Sequence, residues 1–124
     1  PAQLERLNQL NRFYKDWREF IAGAVCDPLT PLQPQSDSTG WAAFHLYRPG
    51  QADSLLLAYR LDDGRARLRF PMPRLDPARR YRVFDIDLPA APAAEMDGSL
   101  LQAEGLPVHL PEKMCAKVYH LPPL

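Results

Sequence analysis

Hydrophobic and polar residues change their spacing along this chain, and the changes predict its elements. Over residues 2–22 the apolar side chains Leu7, Leu10, Phe13, Tyr14, Trp17, Phe20 and Ile21 fall in one sector at ~100° per residue, while Glu5, Asn8, Arg12, Lys15, Asp16 and Glu19 fill the opposite one. This predicts one long amphipathic helix. Gly23 is its natural stop, and Pro28 and Pro31 prevent it from continuing. With Phe13, Tyr14, Trp17 and Phe20 together, the apolar sector is wide enough to serve two neighbours, although a helix lying across its own sheet would also use it. Residues 27–40, DPLTPLQPQSDSTG, have no periodicity and read as a loop or linker.

From Trp41 the period is two. Trp41 to Arg48 alternates loosely and ends at a Pro49-Gly50 turn. Ser54 to Arg60 is apolar on both faces through Leu55, Leu56, Leu57 and Ala58, which places that strand in the middle of a sheet. After Asp63-Gly64, arginine alternates with Ala66, Leu68 and Phe70, so Arg65, Arg67 and Arg69 share a wet face. Asp-Gly between two such runs signals a two-residue hairpin turn, and residues 41–70 are expected to form a three-stranded meander. Pro71, Pro73 and Pro77 end it. Arg80 to Leu88 is the next strand; its apolar parity slips between Tyr81 with Val83 and Phe84 with Ile86, for which a bulge is the expected cause. A turn at Asp97-Gly98, a short piece ending at Gly105, and strands at Val108 to Leu110 and Met114 to Leu121 complete the chain. The expectation is a mainly β fold: a Greek-key-like antiparallel β-sandwich over residues 41–124, preceded by the helical segment 1–26 and the Pro-rich linker 27–40.

A length of 124 residues suits one domain with a single core. Fifteen basic residues balance fifteen acidic ones, so bulk charge calls for neither nucleic acid nor anionic lipid. The charges are nevertheless segregated, with arginine crowding residues 60–82 against Asp62, Asp63 and Asp76, as a solvated sheet face would require. No apolar run approaches the ~18–20 residues of a membrane span, and no signal-peptide pattern opens the sequence. Cys26 and Cys115 are too few for a disulfide scaffold and read as free, mostly buried thiols of a reducing compartment, hence a cytoplasmic chain.

Candidate chemistry is sparse. His45, His109 and His120 lie on three separate predicted strands without ligand-type neighbours at metal spacing, so neither a metal nor any other cofactor is expected. Ser36, Ser38, Ser54 and Ser99 lack a nucleophile motif, and no glycine-rich phosphate cradle is present. Two carboxylate pairs are close in sequence. Asp62 with Asp63 belongs to a turn, and Asp85 with Asp87 shares a strand face opposite arginine, where ion pairs are expected. No catalytic residue is assigned. Of the strand aromatics, Trp41 at the mouth of the polar loop, or else Tyr47, is the candidate for stacking a sugar ring.

The order of motifs resembles the carboxyl-terminal end of the family 36 glycoside hydrolases, the α-galactosidase or melibiase group. Phe13-Tyr14-Lys15-Asp16-Trp17-Arg18 is similar to the helix with which that family leaves its catalytic barrel. Tyr59-Arg60-Leu61, Leu75-Asp76-Pro77 and Tyr81-Arg82-Val83 look like its closing β domain, and Asp97-Gly98 with Leu101 and Gly105-Leu106 is similar to its G-x-x-L…G-L segment. The resemblance implies a (β/α)8 barrel elsewhere, carrying two Asp that act as nucleophile and acid/base ~5–5.5 Å apart in a retaining mechanism. None of that barrel is in this sequence, and Asp16, on the polar side of its helix, takes no catalytic role. The expectation is therefore a non-catalytic accessory domain whose helix meets the barrel of the same parent chain through Phe13, Tyr14, Trp17 and Phe20. Carbohydrate would reach it through the parent, and the exposed helix face would make an isolated copy self-associate or fold the helix onto its own sheet. Two rival readings are a carbohydrate-binding module using Trp41 or Tyr47, and a protein-interaction domain using the Arg65, Arg67 and Arg69 face.

Overall fold

Leu55 and Leu56 are adjacent on one strand and both fully buried. Neighbouring strand residues point to opposite faces, so this strand must be covered above and below. A computed structural model describes residues 2–30, 40–86 and 93–124, without the side chains of residues 2–7, 9, 10, 13, 14 and 16. The elements are α1 (Ala2–Gly23), β1 (Val25–Pro28), β2 (Trp41–Tyr47), β3 (Ser54–Arg60), β4 (Arg67–Phe70), β5 (Arg80–Asp85), β6 (Ala94–Asp97), α2 (Gly98–Ala103), β7 (Leu106–His109) and β8 (Cys115–His120). Six strands form one antiparallel sheet in the order β1-β2-β3-β8-β5-β6, and β4 pairs with β7 in a separate ribbon.

The two faces of the large sheet have different cover. On one, Trp41, Ala43, Leu56, Tyr81 and Tyr119 join Phe70, Leu106 and Val108 of the ribbon, together with Leu101 of α2, in a single buried cluster. On the other, the register aligns Leu46, Leu55, His120 and Phe84 across four strands. Trp17 of α1 stands edge-on to the His120 ring at 4.5 Å, and Phe84 stacks beside that ring at 5.9 Å. This second layer accounts for the parity of β5. Tyr81 pairs with Pro123, Phe84 with His120 and Asp85 with Tyr119 in one unbroken register, so no bulge is present. Tyr81 and Val83 enter the core while Phe84 belongs to the opposite face.

The expected three-stranded meander is replaced by a change of sheet. β2 and β3 do pair, but β3 gives its other edge to β8, and β4 pairs elsewhere. Arg60 is the cause nearest the turn. It is buried, and its guanidinium donates from Nε and Nη2 to the Asp63 carbonyl at 3.0 and 2.7 Å and from Nη1 to the Leu110 carbonyl at 2.8 Å. The Asp63 carboxylate accepts from the Arg65 backbone N–H at 2.8 Å and from the Arg65 guanidinium at 3.0 and 2.8 Å. These hydrogen bonds hold that carboxyl down at about 2. The Asp-Gly dipeptide thus steers the chain out of the sheet instead of closing a hairpin. Arg60→Ala is expected to cost roughly 3 kcal/mol, because charged hydrogen bonds and packing disappear together and two carbonyls lose their donor. Urea unfolding checks this; a loss below about 1 kcal/mol would mean that water replaces the guanidinium.

Two further readings are corrected. Residues 25–28, expected to be the end of the helical segment and the start of a linker, form the edge strand β1, with Val25 opposite Tyr47 and Pro28 opposite Phe44. Proline is tolerated there because an edge strand has one unpaired side. Cys26 on β1 is exposed, not buried, and Cys115 is half-buried; both are free thiols. Arg65, Arg67 and Arg69 are exposed, as their alternation predicts. Residues 31–39 of the linker, and Asp87 and Leu88, lie outside the described residues.

Candidate ligand site at the end of the core

Alternation along β2 sends Trp41, Ala43, His45 and Tyr47 toward the core face. Trp41 is 3% exposed, donates from Nε1 to the Arg65 carbonyl at 3.0 Å and lies 5.8 Å from the Phe70 ring. Its ring is therefore not available to stack a sugar, which removes the first of the two aromatic candidates.

At the other end of the strand the core turns polar. His45 is fully buried, and neither ring nitrogen has a hydrogen-bond partner among the described residues; the same holds for the hydroxyl of Ser54, 2% exposed. Ser54 stands opposite Tyr47 in the β2–β3 register. His45, Ser54, Tyr47, Leu75 and Tyr81 line a cavity of about 230 Å³, whose rim includes the exposed Gly50, Gln51, Arg74, Asp76 and Arg79. The site thus draws on β2, the start of β3, the intervening turn, the segment before β5 and β5 itself.

Its electrostatics are nearly balanced. The Arg74 guanidinium lies over the Tyr47 ring at 5.9 Å and reaches Asp27 at 3.8 Å. Arg79 approaches Asp76 at 3.4 Å. The Asp76 backbone N–H donates to the Tyr81 hydroxyl at 3.0 Å, fixing the loop against β5. Burial pushes the His45 imidazole down to about 4, against the opposing pull of the Asp27 carboxylate across the β1–β2 ladder. At neutral pH His45 is thus an uncharged ring with one N–H donor and one lone-pair acceptor.

The other chemistry-bearing residues are engaged elsewhere. Asp62 pairs with Lys113 at 3.0 Å and Asp85 with Lys117 at 3.3 Å, each linking separate segments, while Asp63 braces its own turn through Arg65 at 2.8 Å. His120 bonds Asp53 at 2.6 Å, and His109 is exposed on β7. No group of three metal-type ligands occurs among the described residues. Of the aromatic residues expected at a helix interface, Trp17 and Phe20 are half-buried and meet edge-to-face at 5.4 Å, whereas the side chains of Phe13 and Tyr14 lie outside the described ones. Sequence reasoning placed His45 on a strand but missed its association with Ser54 and the 74–79 segment. The available signal was a histidine inside an otherwise apolar run, WAAFHLY, facing a strand that opens on serine.

No protein-family model and no curated protein matches the sequence. Solved structures match the fold over nearly the whole chain. A family 36 α-galactosidase from Geobacillus stearothermophilus in complex with raffinose matches 97% of this chain at a TM-score of 0.71 and 15% identity, which is 16% of the length of that enzyme. The α-galactosidase from Lactobacillus brevis matches all of it at 0.69 and 16%, over 17% of its own length. The galactosidase domain of an α-galactosidase–sucrose kinase matches 96% at 0.70 and 16%, over 16% of that chain. At these identities the likeness is one of fold. The chain spans about a sixth of each of these proteins.

Proposed function

We propose that this chain is a non-catalytic accessory domain of an α-galactosidase-like glycoside hydrolase, a carboxyl-terminal β-sandwich packed on the flank of the catalytic barrel. The observation that carries the reading is coverage: nearly every residue of the chain has a counterpart in the solved α-galactosidases, but only about a sixth of those enzymes has a counterpart in the chain. The side-chain chemistry agrees with it. The carboxylates that a glycosidase would need, Asp62, Asp63 and Asp85, are committed to Lys113, Arg65 and Lys117. The parent hydrolyses terminal α-galactosides at its barrel, and this domain contributes stability by covering barrel surface. α1 is the layer between the two, with Trp17 on the sheet side against His120 and Phe20 beside it.

The test is enzymatic. The 124-residue chain is expected to give no turnover of an aryl α-galactoside above buffer, whereas the product of the complete reading frame turns it over with Asp62, Asp63 or Asp85 each changed to Asn. Turnover by the chain itself, abolished by one of those changes, would overturn the proposal. So would a complete reading frame that encodes no barrel.

A further inference from the structure

We infer that the cavity at the His45 end of the core binds a neutral, hydroxyl-rich small molecule the size of one sugar ring. The inference goes beyond the accessory role and does not depend on it. Two polar side chains, His45 and Ser54, are buried to 0% and 2% exposure and line the cavity without a partner among the described residues. Buried polar groups are almost always hydrogen-bonded, because leaving them unsatisfied destabilises the fold. Their pairing chemistry selects the ligand. A neutral imidazole and a hydroxyl each offer both a donor and an acceptor, and the group that complements both in either sense is another hydroxyl.

Competing ligand classes fit less well. An anion would find Arg74 and Arg79 already paired with Asp27 and Asp76, and an imidazole that burial keeps uncharged. A cation would face Arg74 and Arg79. An apolar molecule would leave the His45 and Ser54 atoms unsatisfied. A volume of about 230 Å³ lies below the range for drug-sized ligands, which begins at ~300 Å³, and suits a single ring. Tyr47, Leu75 and Tyr81 supply the apolar walls on which the C–H faces of such a ring rest. Arg74, largely exposed and held to Asp27 only at 3.8 Å, covers the Tyr47 ring and is the side chain that moves to admit it.

The experiment is a titration of the chain, isotopically labelled in histidine and followed by NMR, with galactose, glucose and glycerol as neutral probes and inorganic phosphate as the anionic one. The His45 ring signals are identified by their loss in His45→Leu. They are expected to shift saturably with at least one of the sugars at a Kd of about 1 mM, more weakly with glycerol, and not with phosphate. Ser54→Ala is expected to weaken the response at least tenfold. His45→Leu removes the unsatisfied nitrogens, so it should also raise Tm by about 4 °C in the absence of sugar. No saturable shift with any neutral probe up to about 100 mM, saturation by phosphate alone, or a response unchanged in Ser54→Ala would overturn the inference. If His45→Leu does not fold, Ser54→Ala decides, with the wild-type histidine signals assigned by His109→Gln and His120→Gln. These outcomes are read without any galactosidase activity, so failure here leaves the accessory role standing and failure of that role leaves the site standing.

Discussion

Gly105→Ala is expected to lower the unfolding free energy by more than about 3 kcal/mol. Gly105 follows α2 and precedes β7 with a φ of +92°, and a Cβ there would lie 2.3 Å from the Phe70 carbonyl carbon and 2.3 Å from the Pro71 nitrogen. Both obstacles are backbone, so neither can rotate away. Phe70 pairs with Leu106 in the β4–β7 ladder, and the clash therefore forces apart the ribbon that closes the core. Two other glycines separate the causes. Gly50 has a φ of +82° but nothing within 4 Å, so Gly50→Ala reports the backbone cost alone, about 1 kcal/mol. Gly64 has neither a positive φ nor a neighbour, and Gly64→Ala should stay within about 0.5 kcal/mol. Urea unfolding of the three variants gives the ranking; a Gly105→Ala no worse than Gly50→Ala would mean that the ribbon shifts freely.

The second large effect is a dependence on pH. As pH falls from 6.5 to about 4 the fold is expected to lose about 3 kcal/mol through His45. The direction follows from which state takes the proton first. Unfolded, the imidazole protonates near 6.5; folded, burial holds it neutral down to about 4. Between those values the unfolded chain binds a proton that the folded chain refuses, so the stability present above 6.5 drains away on acidification. Asp27, opposite His45 in the β1–β2 ladder, opposes the shift, while Arg74, Asp76 and Arg79 share the cavity lining with the ring. Asp63, held at about 2, keeps its stabilising contribution until pH falls below its ordinary 3.8, outside this window. Urea unfolding at pH 7 and pH 4.5 should show a steep loss in the wild type and a shallower one in His45→Leu. Equal losses in the two proteins would place the pH dependence elsewhere.

The parts of this fold that were legible in the sequence are those set by side-chain alternation within a strand. Leu55, Leu56 and Leu57 announce a strand buried on both faces, and the Arg65, Arg67 and Arg69 spacing announces a wet one. Pairing between distant segments was not legible. Asp63-Gly64 carries the local chemistry of a tight hairpin, yet the strands on either side of it find better partners in β8 and β7, and no local pattern records that competition. Trp41 looked accessible beside a polar loop; the Arg65 carbonyl that buries its indole N–H lies 24 residues away. The site behaved the same way. His45 was recognisable as a histidine in a core strand, but its surroundings are assembled from the 50–54 turn and the 74–81 segment, which no spacing rule connects. The two glycines of the G-x-x-L…G-L run have a physical reason: Gly98 and Gly105 each lie where a methyl would strike backbone of another segment.

The pairing of β3 with β8 also governs the order of events during synthesis. Leu55, at the centre of the sheet, is opposite His120, so the edge it needs is synthesised long after it. Until then the β2–β3 pair presents an unpaired leucine-rich edge, the kind of surface that recruits other nascent chains. Such long-range closure is slow compared with a local hairpin. Loss of β8 would therefore remove the middle of the sheet rather than trim its edge.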